Sequence, residues 1–114
     1  MKLLTKEIIS KLPAFDTTDE KEPADIEIVV KFFCPWNQWS WYAYSGEPVL
    51  DDSSGLPTGD FLFFGYVRGH YDEFGYFLLS ELEEITAPGG LCLKIERDRF
   101  FNGTLQEVLD GKKF

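Results

Sequence analysis

Fifteen of the nineteen aromatic residues in this chain fall between Phe32 and Phe77, in short apolar runs separated by turn residues. Bulky rings suit the pleated surface of a sheet, and the runs carry a period of two. In "IEIVVKFFC", Ile26, Ile28, Val30, Phe32 and Cys34 alternate on one face, with Glu27, Val29, Lys31 and Phe33 on the other. That pattern predicts a strand with one fully buried face. "PWNQW" carries turn residues and "WSWYAY" resumes the β-rich run, so a hairpin is expected near Asn37 and Gln38. The hairpin would put Trp39, Trp41 and Ala43 on one side, and Ser40, Tyr42 and Tyr44 on the other. "FLFFGYV" is apolar at nearly every position, as suits a central strand covered on both faces. "RGHYDEFG" reads as a turn region and "YFLL" as a short strand after it. Hairpin after hairpin implies an antiparallel sheet.

The flanks read as short helices. Thr5 can cap "KEIISK", with Ile8, Ile9 and Leu12 toward one side and Pro13 as the stop. Ser80 and Glu83 form a capping box before "LEEI", and "PGG" ends that helix. Thr104 and Glu107 repeat the box ahead of a final helix, with Gly111 where a C-terminal stop belongs. "LCLKIERD" alternates Leu91, Leu93 and Ile95 against Cys92, Lys94 and Glu96, which predicts a fifth strand. Two polar stretches, Asp16–Glu27 and Ser45–Asp60, read as loops on composition. The expected fold is α+β: a single antiparallel sheet of about five strands, with short helices near both termini, in one domain spanning residues 1–114. A domain of this length buries roughly 65% of its unfolded surface, enough for one core but hardly two.

Twenty acidic against eleven basic residues give a formal charge of -9. Such a field repels nucleic acid and anionic lipid and attracts basic partners. Stacking platforms for single strands pair their rings with a basic groove, yet no Lys or Arg lies between Phe32 and Val67, so nucleic-acid binding is not expected. No apolar run approaches the roughly 20 residues a membrane helix requires, and Lys6 and Glu7 interrupt any signal-peptide core. The chain reads as cytoplasmic. Cys34 and Cys92 stand far apart with no CxxC, which suggests two free thiols in a reducing compartment.

Catalytic patterns are missing. A Ser-His-Asp arrangement needs a positioned histidine, and the single candidate, His70, sits in the turn "RGHYDEFG". Neither a Walker loop, a G-x-S-x-G elbow nor a Rossmann glycine pattern is present. The paired acids Asp51/Asp52, Asp72/Glu73 and Glu83/Glu84 read as solvated charge. One histidine and no cysteine pair argue against structural zinc, and neither metal nor cofactor is expected. Basic residues gather only in "KIERDR", where Arg97 and Arg99 could meet an anion or complete an ion-pair ladder.

The segments "KLLTKEI", "KLP", "VKFFCPWNQWSWYA", "DFLFFGYVRG", "FGYFLLSELEEI" and "IERDRFF" resemble, in kind and order, a family of small bacterial proteins. That family is a domain of unknown function, often encoded on plasmids, conjugative elements and phages. The resemblance implies residence on mobile DNA and carries no activity with it. Relatives often differ in length between "WSWYA" and "DFLFFG", where this chain has the short acidic stretch Ser45–Asp60.

A core of this size needs fewer rings than the chain supplies. Trp41 and at least one other tryptophan are expected inside, with Tyr42 and Tyr44, which carry hydroxyls, at a half-wet contact face. The leading expectation is a non-enzymatic accessory protein that binds another protein through an aromatic sheet face or edge. The candidate binding residues are Trp36, Trp39, Tyr42, Tyr44, Arg97 and Arg99. One rival is an acidic mimic of nucleic acid that blocks a host defence nuclease. Another is a binder or enzyme for a nucleotide-like ligand, stacked between rings and met by Arg97 or Arg99. An uncovered strand edge would also permit a homodimer.

Overall fold

The computed structural model describes residues 2–90 and 93–113. Its strands are β1 (Val30–Phe33), β2 (Ser40–Leu50), β3 (Pro57–Arg68), β4 (Asp72–Leu78) and β5 (Glu96–Arg97). They form one antiparallel sheet in the order β4-β3-β2-β1-β5. Three short helices accompany it: α1 (Lys6–Lys11), α2 (Leu79–Glu84) and α3 (Leu105–Leu109). This is the α+β architecture that the alternating runs and capping signals predict.

The β1–β2 hairpin turns where expected. The Cys34 amide donates to the Trp39 carbonyl at 3.0 Å, and Asn37 Oδ1 accepts from the Trp39 amide at 2.9 Å. The stretch Ser45–Asp60 departs from the expectation of a loop. β2 runs on to Leu50 and β3 begins at Pro57, so only residues 51–56 form the connection. The far end of this hairpin is held by its ladder with Pro48, Leu50 and residues 57–59 exposed, so its composition is polar without being a loop. Asp51 closes the tip. Its Oδ1 accepts the Ser53 hydroxyl at 2.7 Å and the Ser53 and Ser54 amides at 2.9 and 3.0 Å. Those bonds, the Ser53 hydroxyl foremost, hold its carboxyl down to about 2.

Each face of the sheet carries a packed cluster, so there are two apolar clusters where composition suggested one, although Phe74 and Tyr76 on β4 stay exposed. On the first face Val30, Phe32, Trp41, Phe61, Phe63 and Phe77 pack beneath Leu3, Leu4 and Leu82. On the second face Tyr42 and Tyr44 lie under Ile26, Ile28, Leu105 and Val108. The run Ile26–Cys34 is thus not one long strand. The Ile28 amide donates to the Gly103 carbonyl at 2.9 Å and the Leu105 amide to Ile26 at 2.8 Å, whereas Val30 already pairs with Ala43. The chain ties to the C-terminal segment first and joins the sheet afterwards, which sends Ile28 and Val30 to opposite faces. The fifth strand is also shorter than its alternation suggests, reduced to Glu96 and Arg97. Cys34 is a buried free thiol; Leu91 and Cys92 lie outside the described residues.

Helix ends follow the capping chemistry with one exception. Thr5 Oγ1 accepts the Ile8 amide at 3.2 Å, and Thr104 and Glu107 form the reciprocal box at α3. At α2 the expected Ser80 cap is displaced, because the helix starts at Leu79. Ser80 instead meets a carboxylate from β3. Asp60 accepts the Ser80 hydroxyl at 2.7 Å and amide at 3.0 Å, and also the Phe61 amide at 2.8 Å. Burial pushes the Asp60 carboxyl up, but the Ser80 hydroxyl with the Phe61 and Ser80 amides outweighs it and holds the group below its ordinary 3.8. Asp60→Ala is expected to cost about 1 kcal/mol, as for a lost helix cap, with solvent exposure keeping the effect small. A carboxylate depressed in the folded state stabilises above its unfolded value and ceases to do so as pH falls through its folded value. Thermal melts should therefore separate variant from wild type at neutral pH and bring them together below the carboxylate range.

Candidate functional site: the tryptophan cleft

Trp36, Trp39 and Trp41 reach a common concavity of about 260 Å³, whose other walls are Cys34, Asn37, Ile85 and Thr86. The β1–β2 hairpin supplies the indoles and the segment after α2 closes the far side. Trp41 is buried on the first sheet face, while Trp36 and Trp39 are half-buried against that core. Trp39 and Trp41 lie 5.8 Å apart between ring centroids at 33°. On its other side Trp39 rests against the β3–β4 turn. A Cβ at Gly69 would stand 2.4 Å from its indole carbons, so only glycine admits this approach. The His70 ring meets Trp39 edge-on at 5.4 Å. The lone histidine thus serves as a packing partner of the cleft wall.

The other sequence-derived candidates are placed elsewhere. Tyr42 and Tyr44, expected at a half-wet face, are 1% and 6% exposed. The reason is long-range, since Ile26, Ile28 and α3 fold over them. Two cations sit on the Tyr42 ring: Lys31 Nζ at 5.6 Å and the Arg68 guanidinium at 5.6 Å from its centroid. Lys31 also lies 3.7 Å from Asp98 Oδ2 and 5.6 Å from the Phe101 ring. Burial pulls the Lys31 pKa down, and Asp98 opposes that pull. Arg68 Nη2 donates to the Val108 carbonyl, tying α3 to the sheet. Nothing in the alternation of β1 flagged Lys31 as a covered residue.

Arg97 and Arg99 line a separate concavity of about 360 Å³ together with Glu7, Lys11, Asp98 and Phe101. Arg97 Nη1 donates to the Lys2 carbonyl at 2.9 Å. No arginine lines the tryptophan cleft, so the expected union of stacked rings with a guanidinium is not assembled there. Another concavity, about 470 Å³, is lined by Leu3, Leu82, Glu83, Lys94 and Glu96, with no aromatic residue among the described walls. Among the described residues no three His, Cys, Asp or Glu side chains gather as a metal site. None of the described helices is long and apolar enough to cross a membrane.

A family model described as "Protein of unknown function (DUF2958)" matches residues 3–108. The chain belongs to the DUF2958 family. The match takes in the whole sheet, all three helices nearly to the end of α3, and every wall of the cleft. No curated protein and no solved structure matches this DUF2958 chain.

Of the cleft's walls, the sequence reading named Trp36 and Trp39 as candidates and placed Trp41 in the core, and it did not single out Ile85 or Thr86. The only local signal for them was their place between a capped helix and "PGG".

Proposed function

We propose that this DUF2958 domain is a non-enzymatic cytoplasmic accessory protein of a mobile element, and that it binds another protein by receiving an apolar side chain in the tryptophan cleft. The observation that supports this most is that all three indoles of the chain line one concavity. Size and lining favour a protein anchor over a nucleotide. Small-molecule sites run about 300–1,000 Å³, above the 260 Å³ here. A nucleotide's phosphates would also want a cation, and the walls carry none. Side chains that fill such pockets dominate protein interfaces, with truncations there costing about 2 kcal/mol or more.

The test begins with the protein captured from its host under native conditions and its partner repurified. Thr86→Arg places a long cation at the exposed rim without touching the core. It is expected to weaken the partner about thirtyfold or more while the melting temperature stays near wild type. The partner should also shift the intrinsic tryptophan emission, since all three tryptophans line the site. Unchanged affinity in Thr86→Arg would sink the assignment of the cleft.

A further inference from the structure

We infer that two copies of this chain pair through β4, antiparallel and centred on Gly75, joining their sheets into one. The first observation is an internal precedent. Phe64-Gly65-Tyr66 in β3 and Phe74-Gly75-Tyr76 in β4 are the same tripeptide, and the fold pairs them: Phe64 with Tyr76, Gly65 with Gly75, Tyr66 with Phe74. Their rings meet at 4.7 and 5.0 Å. The outer side of β4 offers that tripeptide again. A second β4 in the equivalent register sets Phe74 opposite the partner's Tyr76, and Tyr76 opposite the partner's Phe74, with the two Gly75 residues face to face. Such a contact uses the same patch on both copies and closes as a two-fold dimer.

The second observation is that the edge is open over most of its length, although the Leu78 amide at one end donates to Glu81 Oε1 at 3.0 Å. β4 is the terminal strand, and its ladder with β3 runs from Leu78 to Asp72 without a bulge. Strand edges are commonly blunted by charged side chains, Lys above all, by Pro, by bulges or by brevity, and on β4 the charges are confined to Asp72 and Glu73 at one end. Residues 72–78 contain neither Lys nor Pro, and the strand is seven residues long. The opposite edge, β5, has only two. Phe74 and Tyr76 are 48% and 61% exposed in one protomer, and aromatic cross-strand pairs are among the favourable ones.

Charge sets the sign of the salt dependence. In this register Asp72 and Glu73 fall opposite the partner's Leu78 and Phe77, not opposite each other. The partner's Glu81 follows close behind Leu78, so carboxylates approach at both ends of the ladder. Salt screens that repulsion, and association should tighten as ionic strength rises.

Sedimentation of the full chain tests this directly. A dimer is expected that strengthens between about 0.05 M and about 0.5 M salt, and Tyr76→Glu should raise the dissociation constant at least about tenfold. The register has its own readout. Directly opposed strand residues have Cα atoms about 4.5–5.5 Å apart, within disulfide range. Gly75→Cys should form a disulfide-linked dimer on mild oxidation, while wild type and Glu73→Cys should not. A monomer at every concentration and salt would overturn the inference. So would a dimer in which Gly75→Cys fails to crosslink, because that dimer uses another surface.

Discussion

Phe63→Ala is expected to remove about 3–5 kcal/mol of stability, the cost of deleting a large buried ring and leaving its cavity. Phe63 is fully buried at the centre of β3. Its ring contacts Phe32 at 5.4 Å, Phe61 at 5.1 Å and Phe77 at 5.4 Å. Those partners come from β1, β3 and β4, so truncation loosens three of the five strands together. Against a total stability of about 5–15 kcal/mol for a typical domain, the variant should melt at least about 10 °C lower. Phe74→Ala is the internal control. It deletes the same ring from the same sheet at an exposed position, and in dilute protein it should change stability by about 1 kcal/mol at most. Denaturant titration of both variants decides the matter. Equal losses would mean that the face bearing Phe74 is covered within the protomer, which would also undercut pairing through β4.

What could be read from the chain was local, and what escaped depended on distant segments. Trp41 and Ala43 were placed on one face and Tyr42 and Tyr44 on the other because a period of two fixes relative facing within a strand. The same period cannot say what covers each face. Tyr42 and Tyr44 are buried by residues 26–28 and 105–108, far along the chain in both directions, so their hydroxyls misled. The Thr5 cap fixed α1 and the Thr104–Glu107 box fixed α3 because both partners lie within four residues. α2 starts earlier than Ser80 suggests: Glu81 takes the Leu78 amide at its N-terminus, and Ser80 is drawn to Asp60, 20 residues upstream. The hairpin through Ser45–Asp60 hid behind polar composition, since an exposed ladder needs no apolar alternation. The tryptophan cleft was half legible for the same reason: three indoles stand close in sequence, while Ile85 and Thr86 arrive by tertiary packing. Strand order is likewise invisible in a single sequence, and with it the fact that β4 ends the sheet.

The paired glycines give the sharpest contrast at the level of a single methyl group. A Cβ built on Gly65 would lie 1.9 Å from the Tyr42 carbonyl oxygen and 2.9 Å from the Ala43 Cα. Both obstacles are backbone in β2, so no rotamer change can make room. The β2–β3 ladder, the longest in the sheet, would have to part. Overpacking a well-filled site costs about 1–3 kcal/mol, occasionally more, and a main-chain obstacle places Gly65→Ala at or above the top of that range. Its neighbour across the β3–β4 ladder behaves differently. A Cβ on Gly75 meets nothing within 4 Å, and replacing glycine inside a strand by alanine gains about 0.5–1 kcal/mol through reduced chain entropy. Gly65→Ala should therefore express poorly or melt far below wild type, while Gly75→Ala folds as well or better. If Gly65→Ala kept its full melting temperature, β2 and β3 would have to stand farther apart than this register allows.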